Sequence, residues 1–179
     1  MEEPHATMAV LSVRRYGDPV LRQKARPVKT ITDEIRALVG DMVETMHHQV
    51  GIGLAAPQVG IPLRLLVMDD GRRGVRTLVN PAIVERQGTV KAEEGCLSLP
   101  GIFAEVARSE WVRVEALDIE GAPVGLEAKG LQARVIQHEL DHLDGVLFID
   151  HLPPMARDRI KRRIQKEGLP EHSPHAFAL

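Results

Sequence analysis

His138, Glu139 and His142 stand close together in this chain and are of the types that bind and use a metal ion. They form a His-Glu-x-x-His pattern inside Gln137-His138-Glu139-Leu140-Asp141-His142-Leu143-Asp144-Gly145. On a helix, residues four apart are only about 40° apart around the axis, so both imidazoles can reach one ion. Glu139 would then sit where a carboxylate can act as general base on an attacking water. The same pattern also occurs as two hydrogen-bonded core histidines with an exposed glutamate. Against that, Leu131, Val135, Ile136, Leu140 and Leu143 flank the histidine stripe, and imidazoles buried without partners are costly.

A catalytic site of this kind needs a third ligand. One protease class continues the motif as His-Glu-x-x-His-x-x-Gly-x-x-His; the chain follows it to Gly145, but Phe148 stands at the last position and cannot ligate. The downstream carboxylates, Glu167 and Glu171, fall in a basic helix and the tail after it. The remaining soft ligand is Cys96, the single cysteine. A Cys-His-His set leaves the fourth tetrahedral position open, as catalysis requires, and suits iron, zinc, nickel and cobalt alike. Two other readings of Cys96 stand beside this one: a small buried hydrophobe, or a thiolate nucleophile paired with His138. Its setting between Gly95 and Ser98-Leu99-Pro100 favours the ligand.

The elements that must position these residues are legible in part. From Thr32, Ile35, Leu38, Val39, Met42, Val43 and Met46 recur with helical spacing. Thr32 suits the N-cap, Asp33 and Glu34 the first turn, and His47 and His48 an exposed C-terminus. Gly51–Gln58 reads as a small-residue loop, and Leu65–Met68 as a buried strand. Val75–Val79 and Ala82–Val84 read as two short strands interrupted by Asn80-Pro81, with more strand at Trp111–Leu117 and Val124–Leu126. The motif helix is expected over Gly130–Leu143 with Gly145 just past its end. A last helix is expected from Pro153 or Pro154 to Lys166, with Ile160 and Ile164 as a narrow apolar stripe. Short strands between helices point to an α+β fold: short antiparallel sheets around a central metal-binding helix, with a C-terminal helix.

The whole chain sets outer bounds. Its 179 residues suit one catalytic domain over 1–168, with 169–179 expected as a disordered tail and 1–8 as a loose leader. Aromatic residues make up only 3%, so the core must rest on aliphatic side chains and Met. A net charge of -2 gives no general reason to expect DNA binding. Positive charge gathers at the end, where residues 151–179 carry six Lys or Arg against three acids. The acidic start has no signal peptide, no apolar run approaches a membrane span, and a single cysteine fits a reducing compartment. A cytoplasmic location follows as the expectation.

Three segments, Gly51–Gln58, Glu94–Pro100 and Gln137–Gly145, together resemble the signature motifs of the bacterial-type peptide deformylases, in order and separation. The resemblance covers residues 8 to about 168. It implies that Cys96, His138 and His142 hold one divalent metal ion, Fe(2+) in the cell, replaceable by Zn(2+), Ni(2+) or Co(2+). It implies that Glu139 moves the proton from the attacking water to the leaving amine. The side-chain amide of Gln58 and the backbone N–H of Leu97 would be the oxyanion donors, and Glu94 and Arg108 would brace the site as an ion pair. The implied substrates are N-formylmethionyl nascent peptides, cleaved to formate and a free amine. Gly51 and Gly53 would let the backbone approach an extended peptide, and Ile52, Leu131 and Val135 would line the methionine slot. The basic helix 153–166 reads either as a solvated surface helix or as a ribosome-docking element. Two other functions share these features: a metallopeptidase acting on unformylated peptides, and a metal-binding ribosome-associated factor without catalysis.

Overall fold

The first helix, α1 (Asp33–His48), starts where its pattern starts: the Thr32 hydroxyl accepts the Ile35 N–H at 3.3 Å, with Asp33 and Glu34 in the first turn. It stops in a Schellman motif, in which Val50 N–H donates to His47 O at 3.0 Å and Gly51 N–H to Met46 O at 2.9 Å. Val50 occupies the left-handed position of that motif at φ +57°, with its side chain mostly in solvent. A β-branched residue there carries roughly 1–2 kcal/mol of strain, of which glycine's extra chain entropy takes back part. Val50→Gly is therefore expected to raise stability by about 0.5–1 kcal/mol in urea unfolding; a loss would mean that the Val50 side chain packs against something that matters.

The computed structural model describes residues 8–171 and 179. Residues 1–7 of the expected leader, and residues 172–178 of the expected tail, lie outside these.

Seven strands follow α1 among the described residues: β1 (Gly53–Ala55), β2 (Leu65–Met68), β3 (Arg76–Gln87), β4 (Val90–Cys96), β5 (Leu99–Arg108), β6 (Trp111–Leu117) and β7 (Pro123–Lys129). Five make one antiparallel sheet in the order β1-β2-β3-β6-β7, and β4 pairs with β5 as a separate hairpin. The two short strands expected around Asn80-Pro81 are one strand, β3. Proline removes a ladder donor there, but the register slips between Val79 and Ala82 instead of ending. Asn80 takes φ +50° in this bulge, and its side chain accepts from Val28 N–H at 2.8 Å and donates to Val28 O at 2.9 Å. The stretch read as a loop at Gly51–Gln58 contains β1, paired with β2, and a 3₁₀ turn over Ala56–Val59.

The sheet is covered on both faces. Leu65 and Val67 of β2 join α1 residues Val39, Met42 and Met46 on one side. Leu66 and Met68 join Val135, Ile136, Leu140 and Leu143 of α2 (Gly130–Leu143) on the other. This is why β2 is an unbroken apolar run. The β4–β5 hairpin packs its own cluster around Leu21, Phe148 and the half-buried Ile160 and Ile164 of α3 (Pro154–Glu167). The architecture is the expected α+β, with a helix at its centre. α2 ends as predicted: Gly145, at φ +73°, is the left-handed residue of a second Schellman motif, Gly145 N–H to His142 O and Val146 N–H to Asp141 O. A Cβ at Gly145 would also lie 2.6 Å from Arg22 O, so two constraints demand glycine there. Among the described residues no helix is long and apolar enough to cross a membrane.

Candidate metal centre

α2 carries His138 and His142 on one face, one turn apart, with their ring centroids 5.0 Å from each other. Both are buried. The β4–β5 turn delivers Cys96, whose partner across the hairpin is Leu99, to the same place. Cys96 Sγ lies 3.3 Å from His142 Nε2. One ligand atom from each of Cys96, His138 and His142 falls within 4.8 Å of the other two. Two distant segments thus meet in one cluster.

The polar atoms around this cluster show what it could hold. His138 Nε2, His142 Nδ1 and both carboxylate oxygens of Glu139 are buried with no hydrogen-bond partner among the described residues. Buried polar atoms are rarely left in this state, and an imidazole nitrogen beside a thiol and a second imidazole has the setting of a metal ligand. Burial, then the charge of Glu139, pushes the Cys96 thiol well above its ordinary range. That disfavours a free thiolate nucleophile, whereas a cation bound between the sulfur and the imidazoles would favour deprotonation. Burial, followed by His138, holds His142 well below its usual value, so it stays neutral as a ligand must. The residues present fit a divalent ion.

Behind the ligands stands a charged scaffold. His138 Nδ1 meets Glu94 Oε2 at 2.9 Å, which puts the proton on Nδ1 and leaves Nε2 for the metal. Arg108 grips Glu94 with two bonds, Nε to Oε1 at 2.8 Å and Nη2 to Oε2 at 3.0 Å. Glu94 and Arg108 are therefore a buried bidentate pair, not a surface one. Arg134 adds a third bond, Nη1 to Glu94 Oε1 at 2.7 Å, and also donates to Val106 O and Val90 O, tying helix to hairpin. Burial alone would raise the Glu94 carboxyl, but the His138 and Arg108 hydrogen bonds hold it far below 4.5.

The glycine loop lies on the opposite side. Gln58 is buried; its Oε1 accepts Ala55 N–H at 2.9 Å, which turns Nε2 toward Ser98 Oγ at 3.2 Å and Cys96 Sγ at 3.7 Å. Leu97 sits in the turn after Cys96 and packs against Gly51, where a Cβ would come within 2.8 Å of Leu97 Cδ1. Gly53 has a reason invisible in the sequence. A Cβ there would lie 2.7 Å from Glu139 Oε1 and 2.9 Å from Val135 Cγ1. Gly53→Ala is expected to displace the Glu139 carboxylate and lower kcat about 10²-fold, with about 1–3 kcal/mol of lost stability from overpacking. Unchanged kcat in steady-state assays would show that the loop yields instead.

Ile52 and Leu131 line a cleft of about 490 Å³ together with Val90, Ala92 and Gly95. Val135, assigned with them from the sequence, is fully buried in the core beneath, beside Gly53. Leu179 is buried in the same cleft, its N–H donating to Gly95 O at 3.1 Å. Sequence reasoning missed Arg134, although a signal was present: it precedes His138 by four residues and extends the stripe that runs through His142. An arginine on a buried stripe needs a carboxylate.

A family model described as polypeptide deformylase matches residues 10–158. A peptide deformylase of Alkalilimnicola ehrlichii is 49% identical over 162 residues, covering 89% of this chain and 91% of that one. One from Chromohalobacter salexigens is 50% identical over 165 residues, covering 89% and 95%. The crystal structure of peptide deformylase from Thermus thermophilus superposes with a TM-score of 0.84 at 49% identity, over 88% of this chain and 95% of that one. With motifs, metal-ligand geometry, sequence and fold in agreement, the chain belongs to the polypeptide deformylase family.

Proposed function

We propose that this chain removes the formyl group from N-formylmethionyl nascent peptides at the Cys96–His138–His142 centre, with Glu139 as the proton-transferring group. The observation that carries the assignment is the pairing of a ligand set with a free carboxylate: Glu139 is fully buried, its carboxylate has no hydrogen-bond partner among the described residues, and it stands one residue from a ligand. A divalent ion held by the three ligands would supply Lewis-acid polarisation and a water ionising near neutrality. Glu139 takes a proton from the attacking water, and burial, then the charge of Glu94, raises its carboxyl well above the usual range, so it can retain that proton. The Gln58 side-chain amide, aimed past Cys96, and the Leu97 backbone N–H donate to the oxygen that gains charge. Glu139 then returns the proton to the departing nitrogen as the C–N bond breaks, giving formate and a free amine.

The cleft at Ile52 and Leu131 receives the methionine side chain, and Fe(2+) is the ion in the cell, with Zn(2+), Ni(2+) or Co(2+) as substitutes. Helix α3 docks on the ribosome. Its support is a helix with no fully buried residue and a dense Lys and Arg surface, which gives salt-sensitive attachment to phosphate. The test of the central reading compares formate release from formyl-Met-Ala-Ser with cleavage of Met-Ala-Ser by anaerobically purified protein whose metal content is measured. Formate release without peptide-bond cleavage is expected; cleavage of the unformylated peptide would make the chain a metallopeptidase.

A further inference from the structure

The hydrogen bonds that hold His138 do not stop at Glu94 and its two arginines. Arg108 uses Nε and Nη2 on Glu94, and its third nitrogen, Nη1, donates to Asp141 Oδ2 at 2.5 Å. Asp141 Oδ2 also meets His151 Nε2 at 2.7 Å. His151 closes the 3₁₀ turn Phe148–His151 that follows α2, and its side chain is 38% exposed on a polar cleft lined also by Arg64, Arg86 and Gln137. A continuous path therefore runs from solvent at His151 through Asp141, Arg108 and Glu94 to His138 Nδ1.

Charge explains why the path needs its outer member. Arg108 and Arg134 both bond the single carboxylate of Glu94, and the Arg108, Arg134 and Glu94 side chains are almost wholly out of water. Asp141 supplies the second negative charge, so two guanidinium groups face two carboxylates. Without it, Arg108 Nη1 keeps only its 3.2 Å contact with His151 Nε2, and the cluster carries an excess positive charge. Both arginines then draw on Glu94, at the expense of its bond to His138 Nδ1. A weaker bond there makes the imidazole a poorer donor at Nε2 and frees its ring to turn. Geometry also matters: a guanidinium is a planar fork, so fixing Nη1 fixes the plane in which the other two nitrogens present themselves to Glu94.

We propose that Asp141 is a positioning residue which, anchored by His151, sets the orientation and donor strength of the His138 ligand through Arg108 and Glu94. The proposal rests on the deformylase reading only for its kinetic consequence; its effect on metal binding is independent of the substrate.

The test uses the full chain loaded with Co(2+), comparing Asp141→Asn, His151→Ala and His151→Gln with the parent. Asp141→Asn keeps shape and removes the charge. It is expected to shift the visible cobalt bands, speed loss of Co(2+) to a chelator about tenfold, and lower kcat for formyl-Met-Ala-Ser with KM unchanged. His151→Ala should show the same changes in smaller measure, and His151→Gln, which keeps a neutral donor for Asp141, should stay near the parent. Cobalt bands and release rates identical to the parent in Asp141→Asn would overturn the proposal, whatever happens to its thermal stability. If that variant does not fold, the His151 pair decides by the same readouts. Altered cobalt spectra with no deformylation by any variant, parent included, would leave the positioning role standing and remove the deformylase reading instead.

Discussion

Glu139→Gln is expected to lower kcat for formyl-Met-Ala-Ser by about 10²–10⁴-fold, the range for loss of a positioned general base, while the protein keeps its metal. The substitution preserves shape, and the lost carboxylate accepts no hydrogen bond from the described residues, so no structural bond is broken. Stability should move the other way. Burial, then the charge of Glu94, raises the Glu139 carboxyl, so it binds its proton more tightly in the folded chain. A raised carboxyl favours folding below the unfolded value of about 4.3 and loses that advantage as pH rises. At neutral pH the metal-free parent therefore carries an ionisable group in a place hostile to charge, and the glutamine variant does not. The metal-free variant should melt higher than the metal-free parent at pH 7, with the gap closing near pH 4. Steady-state kinetics, metal analysis and paired melting curves check this; retained turnover would remove Glu139 from the mechanism. Lost metal would instead reassign it to holding the site together.

Glu94→Gln should be the most damaging single change to the fold around the centre. Glu94 accepts four bonds, two from Arg108, one from Arg134 and one at His138 Nδ1, and it is 1% exposed. An amide presents N–H groups where guanidinium donors already point, leaving buried positive charge uncompensated. Removing one partner of a buried pair typically costs about 3–5 kcal/mol, and losing the support behind a ligand histidine costs about 10–100-fold in metal affinity. Urea unfolding of the metal-free protein reads the first effect and chelator competition the second. A loss below about 1 kcal/mol would show that the arginines find other partners. Because the folded Glu94 carboxyl is held far below 4.5, its contribution is present above that pH and fades as acid approaches the folded value. The parent should thus lose stability in strong acid through a route that Glu94→Gln lacks.

The two substitutions mark a division in what could be read directly from the residues. Cys96, His138 and His142 were legible because metal chemistry restricts ligand types, and a helix fixes the spacing of two of them. The Thr32 start of α1 and the Gly145 end of α2 were legible because caps answer to local backbone needs that do not depend on the rest of the fold. Strand β2 was legible because burial on both faces leaves an unbroken apolar run. By contrast, no strand was expected at β4, whose residues are mostly polar or small. Its Glu94 is a core residue only because two arginines from other elements meet it, and no local pattern encodes that meeting. Strand β3 was cut in two by the same logic, since the partner that carries Asn80-Pro81 through the sheet is Val28, far away in the chain.

The glycines show the limit most plainly. Gly51 and Gly53 were assigned to close approach of a peptide, and Gly53 also lies against Glu139 itself, where a methyl group would collide with the carboxylate. Residue types and helical periodicity by themselves determined the ligand set, the carboxylate beside it and the helix that carries them, because these follow from bonding preferences and from geometry repeated along the chain. Only the tertiary structure decided how His138 is held, what makes room for Glu139 and which apolar residues face the cleft. Those properties arise between segments distant in sequence, where packing and charge compensation are settled jointly and not residue by residue.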